Sequence, residues 1–157
     1  MVLLGVLTEY ERFFMRVAAL FAIVMSTIAI FAGAGVASAE APPALTADQL
    51  TAQLQRVLNT SVSDQDRAAD LEGGLAALPT ANNIAGVMDR YNSMMSWRVQ
   101  NPALNNDRLD AQLAVTIPVF GTKAHNIYWV DQGGKWKLSN ASACVIARDA
   151  AGTDCTV

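Results

Sequence analysis

The sequence predicts an α+β domain in which N-terminal helices cover one face of an antiparallel sheet and a short helix closes the C-terminus. Three observations carry that expectation. Apolar residues recur at helical spacing between Leu50 and Tyr91, and the period changes to two from Trp97 onward. Asp131-Gln132-Gly133-Gly134 then separates two strand-forming runs ahead of a last capped, alanine-rich segment.

The chain begins with a stretch that reads as a leader. Arg12 and Arg16 precede Val17–Val36, a run without a charge, and Ala37-Ser38-Ala39 supplies small residues where signal peptidase inspects the chain. Cleavage is expected between Ala39 and Glu40. The rival is an uncleaved anchor, since about 20 apolar residues span a bilayer; Glu40-Ala41-Pro42-Pro43, which follows, lacks basic stop-transfer residues. Residues 1–14 are long and partly acidic for a leader, so Met15 is an alternative start. The expected organisation is therefore a leader and signal peptide over 1–39, an extended proline-containing lead-in over 40–45 and one domain over 46–157. Membrane contact is expected only through the signal peptide before cleavage, and the product is expected outside the cell or on the cell wall.

Thr46 is positioned as a helix N-cap, with Leu50, Leu54, Val57 and Leu58 on one face until Asn59-Thr60-Ser61 interrupts the pattern. Ser63 starts a second helix with Asp64 and Asp66 in its first turn, running to Leu71-Glu72 before Gly73-Gly74 stops it. A third helix after Leu78-Pro79 places Ile84, Val87, Met88 and Tyr91 on one face. Trp97 and Val99 then alternate with polar residues, and Asn101-Pro102 is expected to turn the chain. Leu109 to Ile117 forms a long half-buried strand that Pro118 disturbs. Gly121-Thr122-Lys123 is expected as the next turn. Ile127–Val130 and Lys135–Ser139 make a hairpin, and Ser139 or Asn140 caps a helix that Gly152 ends.

The whole chain of 157 residues carries 11 basic and 14 acidic side chains, a net charge of −3. That balance offers no surplus of positive charge for phosphate backbones, so nucleic acid is not an expected partner. A domain of this length buries about two thirds of its unfolded surface, enough for a core without a dense disulfide framework.

Several of these segments together resemble the actinobacterial secreted low-molecular-weight antigen family, known mainly from mycobacteria. The similarity lies in Leu45-Thr46 through Gln49-Leu50, in Leu71-Glu72-Gly73-Gly74, and in Val130–Gly134 followed by Trp136–Ser139 and Ala141-Ser142-Ala143. The resemblance implies an NTF2-like cone of helices packed on a curved antiparallel sheet with a closing helix. It also implies export to the culture fluid or cell wall, recognition by the host immune system, and no established biochemical activity.

The residues with chemical potential are few. Cys144 in the closing helix and Cys155 in the tail are within reach of one another, because a few extended residues at ~3.3 Å each match the ~10 Å of helix they must retrace. A disulfide is expected; the alternative is a buried thiol and an exposed one. His125 is the only histidine and stands without a triad or metal-ligand partner, so it reads as a strand or surface histidine. Asp64, Asp66, Asp70 and Glu72 lack calcium-loop spacing and glycine placement. No catalytic, metal or cofactor signature is present. In a cone-shaped fold, Tyr91, Trp97, Leu113, Ile127, Trp129 and Leu138 are candidates to line an apolar ligand pocket, against the plainer reading that the aromatic rings are core.

Three functional classes follow. The first and preferred is a non-enzymatic, exported interaction or binding protein of the envelope, antigen-like, whose partner is an envelope or host protein. The second is a carrier of a small apolar ligand. The third is an isomerase- or dehydratase-like enzyme using Asp110 or His125, although alternation puts Asp110 on the polar face of its strand. An exposed sheet face also allows a homodimer.

Overall fold

A computed structural model describes residues 41–157, so the leader, the Ala39/Glu40 cleavage position and the alternative start lie outside the described residues. Contacts group the described residues into one compact unit. Its elements in order are helix α1 (Ala47–Leu58), α2 (Asp64–Ala68), a 3-10 turn (Gly74–Ala77), α3 (Leu78–Arg90), strands β1 (Ser96–Asn105), β2 (Arg108–Ile117), β3 (Gly121–Asp131) and β4 (Trp136–Leu138), and α4 (Asn140–Val145). The strands form one antiparallel meander in the order β1-β2-β3-β4.

Alternation decides which face the helices cover. Leu109, Leu113 and Val115 of β2 pair with Trp129, His125 and Lys123 of β3, and Trp97 and Val99 of β1 share that face. Leu50, Leu54, Val57, Ile84 and Met88 from α1 and α3 join Leu109, Leu113, Ile127, Trp129, Leu138 and Ile146 in one core. The opposite sheet face is polar and carries Gln112, Asn126, Thr116 and Thr122.

α1 starts where Thr46 and Gln49 cap one another reciprocally, satisfying two donors of the first turn. Two residues near its middle then tie it to both edges of the sheet. Thr51 Oγ1 accepts the Val99 N–H of β1 at 3.0 Å, and Gln53 Nε2 donates to the Trp136 carbonyl of β4 at 2.7 Å. One helix is thus hydrogen-bonded to both edge strands of the sheet.

Arg67 fixes the helical layer. Its side chain is only 2% exposed; Nε donates to the Val57 carbonyl at 2.8 Å, Nη2 to Asn82 at 2.6 Å, and Nη1 lies 3.5 Å from Asp64. A buried guanidinium is tolerable only when its donors are met, and here they link the end of α1 to the start of α3.

Three boundaries differ from those the sequence predicts. α2 ends at Ala68 rather than continuing to Glu72, because Leu71 makes a parallel bridge with Leu138. The Leu138 N–H donates to Asp70 O at 2.9 Å and the Glu72 N–H to Leu138 O at 3.0 Å, bonds that a continuing helix would forfeit. Asn101-Pro102 does not turn the chain: it is a bulge within β1, where the register shifts between Gln100 and Ala103 and Asn101 takes a φ of 54°. An edge strand tolerates the missing proline N–H there, and the turn falls instead after Asn105. Gly121 opens β3 rather than a turn, the connection being made by Pro118–Phe120.

The lead-in is strapped to the domain, since the Trp136 indole N–H donates to the Pro43 carbonyl at 3.0 Å and Ala41 and Leu45 pack on the core. At the other end Ser139 caps α4, which widens after Val145 into a π turn over Ile146–Ala150, with the Ala151 N–H reaching the Ile146 carbonyl at 2.9 Å.

Gly73 explains why a small residue follows Leu71-Glu72. A Cβ there would stand 2.7 Å from Asn140 Oδ1 and 3.2 Å from the Ala77 Cβ. Gly73→Ala is expected to destabilise the domain by about 1 to 3 kcal/mol. Asn140→Ala alone should be nearly neutral, because Asn140 Oδ1 is a buried acceptor without a partner. Combined, the two substitutions should recover about 1 kcal/mol in a double-mutant cycle measured by urea unfolding; additivity would mean the approach does not limit residue 73.

Candidate functional site

The six candidates for an apolar pocket do not converge on one cavity. Leu113, Ile127, Trp129 and Leu138 are buried in the core, where Leu113 pairs with His125 and Trp129 stands between Leu109 and Leu138 across the strands. Tyr91 lies past the last turn of α3 and is 41% exposed. Trp97 borders an open groove of about 500 Å³, together with Leu58 and Met88, whereas Ile127 adjoins a different depression. Apart from Ala85 and Gly86, the rest of that groove is polar: Gln55, Asn59 and Ser61 come from the end of α1 and the turn beyond it, and Asn82, Asp89 and Asn92 from α3 and its exit.

A second depression, of about 530 Å³, lies on the helix-free sheet face. Its side chains form a connected polar layer. Asn101 donates to Gln112 at 3.0 Å, Gln112 to Asn126 at 3.3 Å, and Arg108 pairs with Asp110 at 2.8 Å while its guanidinium stacks 4.9 Å from the Tyr128 ring centroid. Such amide and guanidinium layers suit polar ligands or a polar protein surface better than a lipid interior.

Asp110 and His125 stand on opposite faces of the sheet. Asp110 is opposite Tyr128 on the polar face, held by Arg108 and Asn105, whereas His125 is opposite Leu113 on the helix-covered face. No acid–base pair is assembled from them. The four carboxylates near α2 are also engaged separately: Asp66 accepts from Ser63, Asp64 from Arg67, Asp70 from Arg56 at 2.6 Å, and Glu72 from the Asn140 N–H at 2.7 Å. No cluster of three or more potential metal-ligating side chains occurs among the described residues.

The tail is held at two points. Cys144 and Cys155 are joined by a disulfide with Cα atoms 5.1 Å apart. Beside it, buried Thr80 at the start of α3 donates to the Thr156 carbonyl at 3.1 Å and accepts the Thr156 N–H at 3.0 Å. The terminus is thus pinned to α4 covalently and to α3 by a two-way hydrogen bond.

Sequence reasoning names Trp97 but misses the groove's amides. Asn82 and Asn92 carry no periodic signal, because a lone amide on a helix has many roles. Strand alternation does place Gln112 and Asn126 on one face, and register then sets them opposite each other.

A meander of four antiparallel strands covered on one face by helices, with a disulfide-anchored closing helix, defines a small α+β domain. The chain belongs to the family described as low molecular weight antigen MTB12, C-terminal domain, whose model matches residues 43–155. No match is found among curated proteins or among solved structures.

Two predictions concern this region. Replacing both cysteines by serine opens a loop with a sequence separation of 11 and should lower stability by about 2 to 3 kcal/mol, read as a lower urea midpoint. Unchanged stability would mean that the Thr80 contacts alone hold the tail. For His125, only 7% exposed, burial and then the Lys123 charge lower the pKa below its ordinary 6.5, with Asp149 opposing. The unfolded chain therefore binds the proton more tightly, so this residue's stabilisation is complete above pH 6.5 and is lost as pH falls through the lowered folded value. His125→Gln should flatten the part of the stability profile that begins to fall below pH 6.5; an unchanged acid slope would assign it to carboxylates.

Proposed function

We propose that the chain is exported, that residues 1–39 are removed, and that the remaining domain acts in the envelope or outside the cell as a non-enzymatic binding or interaction protein with an NTF2-like cone fold. The observation that carries this reading is the Cys144–Cys155 disulfide, because such bonds persist in oxidising compartments. Family membership and the uncharged run 17–36 ahead of Ala37-Ser38-Ala39 support it. Helices packed on one face of a four-stranded antiparallel sheet support the cone. Separation of Asp110 from His125 favours a binding role over catalysis, and the packed core around Trp129 favours surface recognition over carriage of an apolar ligand. The polar groove beside Trp97 is the proposed recognition surface, suited to a polar segment of an envelope or host protein.

Intact mass and N-terminal sequence of the protein from fractionated host cultures test the reading. The expected product is found in culture fluid or cell wall, begins at Glu40, and is two hydrogens lighter than the reduced chain. Recovery from the cytosol in reduced form, or from membranes with residues 17–36 intact, would overturn it.

A further inference from the structure

We propose that one end of the domain, formed by the β2–β3 tip and the α3–β1 connection, docks on an anionic lipid surface by inserting Val119 and Phe120. This names a partner for the envelope role and rests on that role only for where the lipid is met.

The tip projects beyond the last rung of the ladder, Ile117 opposite Gly121. Val119 is 101% exposed and Phe120 88%. Ser96 pairs with Thr116, so the α3–β1 connection leaves the sheet at this same end and brings exposed Tyr91 and Met94 with it. Five of the eight large apolar side chains that the described residues expose are therefore here: Tyr91, Met94, Ile117, Val119 and Phe120. Scattered apolar exposure is ordinary, but clustering of this kind marks an interaction surface.

The backbone strengthens the case. Val119 holds a φ of 76°, a left-handed conformation that a β-branched residue rarely adopts. A turn serving only to join two strands would favour glycine or asparagine there. Valine adds nothing to the core from this position, and strain without a packing return is a feature of functional loops.

Charge identifies the occupant. The charged residues of these connections and the adjoining chain ends are Asp89, Arg90, Arg98 and Lys123, three of four basic in a chain whose net charge is −3. Arg98 sits opposite Ala114 on the polar face and Lys123 opposite Val115 on the helix-covered face, so cations flank the tip on both sides. All three are exposed and none forms an ion pair with a described residue. Lys123 follows Phe120 by about 10 Å of extended chain, so a ring buried about 5 to 10 Å at the acyl boundary leaves the ammonium among headgroup phosphates. A protruding tip fits fluid acyl chains without a matching pocket, whereas a rigid protein partner would need one.

The test uses the proposed exported form, which begins at Glu40 and so lacks the apolar run 17–36, and it reads only the tip. Phe120→Trp adds an exposed indole, the parent chain supplies the background of Trp97, Trp129 and Trp136, and vesicles carry brominated acyl chains. With equal parts phosphatidylglycerol and phosphatidylcholine, the added emission should shift to the blue and be quenched at least about twofold more than with phosphatidylcholine alone. Lys123→Glu in the same background should abolish that difference. Emission at position 120 unaffected by vesicles would overturn the proposal and point to a protein partner for the tip. Equal quenching on both vesicle types would overturn the assignment to anionic lipid. Neither result touches the export reading, which cell fractionation decides separately.

Discussion

The structure depends on a junction between two segments far apart in the chain, residues 70–74 and residues 136–142. β4 is only three residues long, too short to hold its place by pairing with β3 alone. Its outer edge is completed by the Asp70 and Glu72 backbone around Leu71, and Gln53 from α1 takes the Trp136 carbonyl. Glu72 then reaches past the strand to accept the first helical N–H of α4, doing from another segment what Ser139 does from the N-cap. The edge of the sheet, the start of the closing helix and the end of the helical layer are thus one hydrogen-bonded unit. Leu71-Glu72-Gly73-Gly74 and Trp136-Lys137-Leu138-Ser139-Asn140 behave as two halves of that unit, joined only in the fold.

The same economy of elements holds the two outer strands, whose bare edges would invite pairing with other chains. Thr51 and Gln53 of α1 bond to Val99 of β1 and Trp136 of β4, so a single helix ties both edge strands to the helical layer. Arg67 sets where that helix ends by holding the Val57 carbonyl, and its bond to Asn82 passes the constraint to α3. Because Thr80 in α3 grips Thr156, the position of the chain terminus is coupled through α3 back to α1. The disulfide reinforces a contact that the polar network already specifies.

Much of this was legible in the sequence, and the failures have a common cause. The Thr46 and Ser63 caps, the long alternating β2 and the Gly133-Gly134 hairpin are local signals, and local hydrogen bonding decides them. The end of α2, by contrast, is decided by Leu138, a residue that periodicity around Leu71 cannot see. Asn101-Pro102 has turn composition, yet pairing on both sides of it is strong enough to absorb the two residues as a bulge. Aromatic content correctly suggested core for Trp129 and Trp136, whereas the groove beside Trp97 is built from single amides whose convergence only tertiary structure reveals. Tyr91 looked like the next member of an apolar helical face, but the helix ends one residue earlier and leaves the ring outside.

That displaced tyrosine bears on how the molecule divides its labour. Among its exposed apolar residues, Tyr91, Met94 and Phe120 lie beyond the ends of α3 and β2, where neither helix packing nor strand pairing needs them. Met95 and Val115 pack in or against the core near this end, but Val119 and Phe120 do not, so the core places no demand on the tip. Its composition must answer to something else. A polar turn would cost the domain nothing and would remove the strain at Val119, yet the chain keeps valine and phenylalanine there and flanks them with Arg98 and Lys123 on opposite sheet faces. The groove beside Trp97 and the polar sheet face include amides that also hydrogen-bond within the domain, such as Asn82 and Gln112, whereas the side chains of Val119 and Phe120 are exposed. Function is therefore easiest to separate from folding at this end, because a change there can alter association without disturbing the junction on which the fold depends.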